Sequence, residues 1–186
     1  MATPKSIGAI ELSSIGIGYR VQDAMLKAAP VQLLLARTIC SGKYFIVIAG
    51  PVSDVQSAVR AGLEISDQAI IDHLIIPNVH ESIFPALGQS VALAKGQADA
   101  LGVLETFGGV SIIAAADAAA KAARVTLFRI HIAMALGGKG FCLLTGPVAD
   151  VEAAVAAGAA AAREHGLLVS QIAIPRPAPE LFAEYI

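Results

Sequence analysis

The spacing of hydrophobic residues along the first half of the chain predicts an alternation of strands and helices. Apolar residues recur every three or four positions between residues 21 and 29, as in a helix that buries one face, and Pro30 ends this run. A second helix is predicted to open at Gly50-Pro51, because proline at the first helical position loses no hydrogen bond. The predicted elements are strand 7–12, helix 21–29, strand 31–39, turn 40–43, strand 44–49, the helix from Pro51, strand 70–76 and short helix 80–87.

The second half of the chain repeats this order of elements. Its predicted members are strand 101–105, helix 113–123, strand 125–135, turn 136–139, strand 140–145, helix 147–164, strand 167–174 and a short element at 180–185. Residues 89–99 are small and polar without periodicity, which predicts a linker between one domain at 5–88 and another at 100–186. The βαββαβ order predicts the α+β class, with two tandem ferredoxin-like domains that each place helices on an antiparallel sheet.

A sequence repeat explains why the two halves share one pattern. The 13 residues from Gly50 to Gly62 recur from Gly146 to Gly158 with 9 of 13 identical, and Asp23 recurs as Asp117. A period near 94 residues is the size of a small domain and exceeds the roughly 20–50 residues of a solenoid repeat. The chain is therefore a tandem duplication, and we call its halves copy one and copy two.

The composition predicts an obligate oligomer. Hydrophobic residues make up 56% of the chain and charged residues only 15%, against about 25% charged in a typical domain. A domain of this size buries only about 60–65% of its unfolded surface, so two small cores leave apolar surface over. That excess is expected between the halves and between subunits, since obligate interfaces resemble a domain core.

Charge and hydropathy exclude several classes of partner. The net charge is −2 without a basic block, which argues against nucleic-acid binding. The most apolar stretch, residues 110–125, is interrupted by three charged residues, so a membrane span is not expected. The N-terminus lacks a signal-peptide pattern, and two cysteines do not form a disulfide framework, so reduced thiols in the cytosol are expected.

Most candidate catalytic motifs fail on their spacing. Gly16-Ile-Gly18 lacks the third glycine of a dinucleotide fingerprint and is interpreted as a plain turn between strand and helix. Glu11 and Glu105 recur at the end of the first strand of each copy, which favours a structural hydrogen bond over an acid–base pair. The four histidines have no metal-binding spacing, and no nucleophile, base and acid form a set. The chain is therefore not expected to be an enzyme.

The two cysteines have different predicted environments. Cys142 lies in an apolar strand, which predicts a buried and inert thiol. Cys40 lies in a glycine-containing loop three residues before Lys43, which predicts an exposed and partly ionised thiol. The residues alone favour an ordinary loop cysteine, because an iron–sulfur cluster takes about four ligands. A threefold assembly with this loop at its axis would supply three.

Both halves resemble bacterial microcompartment shell domains. The motifs are Asp23-Ala-Met-Leu-Lys27 in the first helix, Ser41-Gly42-Lys43 in the loop, Gly50-Pro-Val-Ser-Asp-Val at the second helix and Ile174-Pro-Arg-Pro177 near the end. The tandem arrangement is similar to the trimeric class. The resemblance implies a homotrimer whose six domains form a pseudohexameric tile, which contacts other shell proteins at its edges. It also implies a place in the shell of a microcompartment within the cytoplasm.

The resemblance assigns roles to individual residues. It implies that two loops converge on the central axis and line a pore, with Ile39, Ser41 and Gly42 from copy one and Leu136, Gly137 and Gly138 from copy two. Lys27 and Lys121 match the family's edge lysine. Arg176 matches its edge arginine, where copy one has Asn78.

The resemblance also implies a cofactor. In similar proteins a cysteine in an Ile-Cys-Pro-Gly-Lys loop binds a [4Fe–4S] cluster on the threefold axis, one per trimer. This chain has Cys40 as the matching ligand and Ser41 in place of the proline, which leaves the loop freer because proline would fix φ. Such a cluster would serve electron transfer, with encapsulated redox enzymes as partners, or cluster delivery. The alternatives are a tile with an open or gated pore for small metabolites and, in another class, a ferredoxin-like metabolite-binding regulator or small enzyme.

Overall fold

The computed structural model describes residues 5–93, 99–132, 137–164 and 167–182, which form two compact units. Among the described residues, one unit comprises residues 5–79 with Gly137 and Gly138, and the other comprises the remaining residues from His80 onward. Each unit holds a four-stranded antiparallel sheet with two long helices, as the hydrophobic pattern predicted. The α+β class and the duplication of one domain are therefore confirmed.

The first unit has the strand order β2-β3-β1-β4. Its central strand β1 pairs with both neighbours, and the buried apolar residues of α1 and α2 cover one face of the sheet. The elements are β1 (Ser6–Leu12), α1 (Ile15–Ala28), β2 (Gln32–Ile39), a 3₁₀ turn (Cys40–Gly42), β3 (Lys43–Gly50), α2 (Val52–Glu64) and β4 (Ile70–Pro77).

The second unit repeats this topology with the order β6-β7-β5-β8. Its elements are α3 (Ile83–Leu87), β5 (Ala100–Thr106), α4 (Gly109–Ala122), β6 (Thr126–Ile132), β7 (Gly140–Gly146), α5 (Val148–Glu164), β8 (Leu168–Pro175) and a 3₁₀ turn (Pro179–Phe182). The predicted strand 125–135 is described only as far as Ile132, and the predicted tail 180–185 only as far as Phe182. The remaining residues of both lie outside the described part of the chain.

Helix starts differ from the sequence prediction. The helix predicted from residue 21 begins at Ile15, so Gly16-Ile-Gly18 is helical and the turn interpretation was wrong. Ser14 caps this helix, because its hydroxyl accepts the Ile17 N–H at 3.4 Å. The helix α4 likewise begins at Gly109 instead of residue 113. Glycines in these first turns concealed the helical pattern.

The helices α2 and α3 begin later than the sequence predicted. Pro51 is the N-cap of α2 instead of its first residue, with φ −59° and ψ 146°. The short helix α3 begins at Ile83, because His80–Ser82 form a turn in which the His80 ring accepts the Ser82 N–H at 3.3 Å.

The first helix and the third strand of each unit pack closely at one point, and the large residue lies on the strand in one unit and on the helix in the other. In the first unit Gly18 leaves room for the buried ring of Tyr44, which a β-carbon at residue 18 would overlap. In the second unit the equivalent positions are reversed: Ile112 is the large residue, and a β-carbon at Gly140 would lie 2.6 Å from its methyl group. The contact between the first helix and the third strand therefore has one large and one small partner in both copies.

This packing predicts opposite effects at two glycines that are two residues apart. Gly18→Ala should destabilise the fold by about 1–3 kcal/mol, because its β-carbon overpacks against Tyr44. Gly16→Ala should stabilise it by up to about 1 kcal/mol, because nothing lies within 4 Å and alanine favours a helix. Denaturant unfolding measures both free energies, and equal changes would contradict the packing argument.

Candidate functional site

The loop that carries Cys40 is the tip of the β2–β3 hairpin. Ile39 pairs with Lys43 at the end of the ladder, so the 3₁₀ turn Cys40–Gly42 projects beyond the last paired residues. Cys40 is partly exposed, Ser41 and Gly42 are exposed, and Ile39 is buried. The predicted ligand Cys40 therefore lies at an accessible end of the first unit. Of the three predicted pore-lining residues of copy one, Ser41 and Gly42 are exposed there and Ile39 is not.

Ser41 has a backbone conformation that the sequence did not reveal. Its φ is 65° and its ψ 27°, in the left-handed region, and Gly42 follows with φ 71°. The equivalent residues of copy two, Gly137 and Gly138, also have positive φ, at 63° and 91°. Leu136, the counterpart of Cys40, lies outside the described residues.

The left-handed geometry sharpens the comparison of serine with proline. A proline ring fixes φ near −65°, so proline cannot adopt the conformation of Ser41. Serine does so at a cost of roughly 1–2 kcal/mol that glycine would avoid. Serine at position 41 was expected to make the loop more flexible than proline would. The structure shows instead a specific left-handed turn that proline could not adopt.

A buried ion pair anchors the base of this hairpin. The Lys43 ammonium lies 2.8 Å from the carboxylate of Glu11, whose side chain is fully buried in the central strand β1. In copy two, Lys139 lies 3.0 Å from Glu105. The structural role predicted for the two glutamates agrees with these contacts. The Lys43 ammonium is thus the counter-ion of the Glu11 carboxylate.

The two ion pairs differ in burial, which predicts a difference in strength. Glu11→Gln should destabilise the protein by about 3–5 kcal/mol, because a partly buried ammonium loses its buried counter-ion. Glu105→Gln should cost only about 0–1 kcal/mol, because the side chains of Glu105 and Lys139 are 31% and 38% exposed. Denaturant unfolding of both variants tests this ranking, and a reversed order would contradict it.

Cys142 is confirmed as a core residue. Its side chain is fully buried in β7, and burial raises the pKa of the thiol to about 12. The thiolate that binds metal is therefore absent at neutral pH. Cys40 is left as the thiol that could serve as a ligand.

The predicted edge lysines each form an ion pair one helical turn away. Lys27 lies 2.6 Å from Asp23 on α1, and both side chains are exposed. Lys121 lies 2.5 Å from Asp117 on α4, and this aspartate is buried. Asp117 also accepts the backbone N–H of His80 at 2.7 Å. The same pair therefore lies in a more enclosed setting in copy two.

Arg176 and Asn78 have the same unusual backbone. Each follows the proline that ends the last strand of its copy, and their φ values are 48° and 53°. Asparagine tolerates this left-handed conformation, whereas arginine is strained in it. The Arg176 side chain is exposed.

The described residues contain no group of three or more His, Cys, Asp or Glu side chains close enough to hold a metal ion. His73 and His131 lie on strands and His80 in the turn before α3, while His165 is not among the described residues. No helix in the same part of the chain is long and apolar enough to cross a membrane.

The BMC domain family model matches the chain twice, at residues 6–79 and 100–177. The chain therefore belongs to the BMC domain family, and the resemblance of its motifs to shell domains is confirmed. Its class is that of structural shell proteins of bacterial microcompartments, with two BMC domains in tandem.

Individual relatives agree with this class. The chain is 40% identical over 182 residues to the bacterial microcompartment shell protein PduT of Citrobacter freundii, covering 98% of both chains. It is 31% identical to the carboxysome assembly protein CcmO of Synechocystis sp., across 92% of this chain and 61% of that one. A crystal structure of a microcompartment protein from Desulfitobacterium hafniense superposes with a TM-score of 0.89 at 45% identity, covering 97% and 99% of the two chains. The expected location in a microcompartment shell is confirmed.

Proposed function

We propose that this chain is a structural tile and not an enzyme, and that three copies assemble so that six domains replace the six subunits of a hexamer. The shell protein EutM of Escherichia coli supports this count, because it is 47% identical over 83 residues and matches only 45% of this chain. One tandem chain thus corresponds to two single-domain subunits. Other shell proteins at the tile edges are the proposed partners.

We further propose that the trimer holds a [4Fe–4S] cluster at its threefold axis. Each chain offers one accessible thiol, Cys40, because Cys142 is enclosed in the core. Three chains supply three thiolates, and an exogenous ligand would complete the usual four. Soft thiolate ligands suit iron–sulfur clusters, so the donor chemistry fits the cofactor.

The residues around Cys40 have defined tasks in this proposal. Lys43 and Glu11 hold the hairpin base, and the left-handed turn at Ser41 and Gly42 sets the direction of the loop. When bound, the cluster would supply a one-electron redox centre, suited to electron transfer across the shell or to cluster delivery. Encapsulated redox enzymes are the proposed partners of that chemistry.

A pore is the second candidate function for the same loops. Consecutive positive φ values at Ser41-Gly42 and at Gly137-Gly138 turn the backbone sharply in both copies. Backbone amides in such turns can bind polar or anionic groups. An iron-free trimer would favour this pore for small polar metabolites.

Substitution of the two cysteines separates these functions. Cys40→Ser should abolish bound iron and sulfide while leaving the trimer intact, because residue 40 lies in a loop outside the core. Cys142→Ser is the matched control and should retain iron, because the Cys142 thiol is fully buried in β7 and is not the proposed ligand. The measurements are iron and sulfide per trimer after anaerobic purification, with visible and EPR spectra. A colourless, iron-free, trimeric wild-type protein would refute cluster binding.

Replacement of Arg176 tests the tile edge. Arg176→Asn gives copy two the residue that copy one has in the same backbone conformation. Folding stability should stay equal or rise by up to about 1 kcal/mol, because asparagine relieves left-handed strain. Assembly of tiles into flat two-dimensional arrays should decline, as observed by electron microscopy of concentrated protein. Arg60→Asn removes an equal charge from an exposed position of α2 as a control, and the edge role fails if both variants assemble into flat arrays equally well.

A further inference from the structure

A surface that is covered in the second unit is exposed in the first. On α4 and β6 the side chains of Ile113, Ala120 and Leu127 are buried. Their counterparts on α1 and β2, 94 positions earlier, are exposed: Tyr19 at 62%, Leu26 at 39% and Leu33 at 37%. We call Tyr19, Leu26 and Leu33 the open stripe. Three large apolar side chains on one face are an unexpected feature for a helix and strand exposed to water.

The segment from His80 to Leu87 shows what occupies the equivalent place in the second unit. The helix α3 contacts both α4 and β6. Ile83 and Ala86 are fully buried, and the His80 N–H donates to Asp117 at 2.7 Å. This segment follows the last strand of copy one and belongs to the unit of copy two.

Copy two ends in an equivalent segment whose anchor is exposed. At the spacing of 98 residues that relates Pro77 to Pro175, Ile83 corresponds to Leu181 and His80 to Ala178. Leu181 is 48% exposed in the turn Pro179–Phe182. Its counterpart Ile83 is buried, whereas Leu181 is an apolar side chain of similar size that remains exposed in the single chain.

The polar contact also has a ready counterpart. Asp23, in the position of Asp117, has an exposed carboxylate on α1 beside the open stripe. Ala178 is exposed and lies between Pro177 and Pro179, so it has the single backbone N–H of that tripeptide. The acceptor Asp23 and the donor Ala178 thus occupy the sequence positions that correspond to Asp117 and His80.

We propose that residues 178–182 of one chain dock on the open stripe of a second copy, with Leu181 against the apolar face and the Ala178 N–H on Asp23. The occupant is a second copy of this chain. Within one chain, the segment that ends copy one already covers α4 and β6 of copy two. By the same pattern, the segment that ends copy two would cover α1 and β2 of another chain. The inference rests on the proposed homotrimer and names the contact that would join its subunits.

Substitution at Leu181 tests the apolar part. Leu181→Asp should weaken subunit association at least tenfold and shift the protein toward monomer in size-exclusion chromatography with light scattering. Leu181→Met keeps the apolar volume and should remain trimeric. Far-UV circular dichroism should be unchanged, because Leu181 is half exposed in the single chain. A Leu181→Asp protein that stays fully trimeric would overturn the proposed docking.

Hydrogen exchange at Ala178 tests the polar part without relying on that variant. In the wild-type trimer the peptide that spans residues 177–182 should show a slowly exchanging Ala178 amide. Protection should be lost in Asp23→Ala and kept in part in Asp23→Asn, which retains an acceptor oxygen. A fast Ala178 amide in the wild-type trimer would overturn the inference while leaving the tile intact. A wild-type protein that is monomeric would refute the tile and this contact together.

Discussion

The buried carboxylate of Glu11 imposes the constraint on which the first unit depends. A carboxylate removed from water needs a counter-ion and hydrogen bonds, and Lys43 at the start of β3 supplies the charge. The ion pair joins the central strand to the hairpin that carries Cys40. The hairpin that carries the loop tip is therefore attached to β1, a strand paired on both sides, although the tip itself lies beyond the last paired residues. Copy two keeps the same pair in a more exposed form, so the constraint is weaker there.

Duplication has allowed the copies to diverge in linked positions. A helix–strand contact has exchanged its large and small members, and the two strand-ending prolines are followed by asparagine in one copy and arginine in the other. The hairpin loops differ by a cysteine in one copy only. In the proposed threefold assembly each difference would occur three times, whereas six identical domains would have to share one residue at each position.

The fold class could be predicted from the sequence, because the order of strands and helices repeats after about 94 residues and the same motifs occur in both halves. Cys142 could be assigned to the core from its apolar strand, and Glu11 to a structural role from its recurrence. Helix starts were misjudged at Gly16 and Gly109, since a cap such as Ser14 depends on local geometry that hydrophobic spacing does not report. The left-handed turn at Ser41 could not be predicted from the sequence either, because serine ordinarily avoids that conformation.

The exchange of Gly18 and Tyr44 for Ile112 and Gly140 has a genetic consequence. Recombination between the two halves of the gene, with a breakpoint between helix and strand, would create domains with mismatched partners. One hybrid would combine isoleucine with tyrosine and clash, and the other would combine two glycines and leave a void. Both products would fold poorly, so selection would remove them. The paired exchange would thereby act against homogenisation of the two halves by recombination.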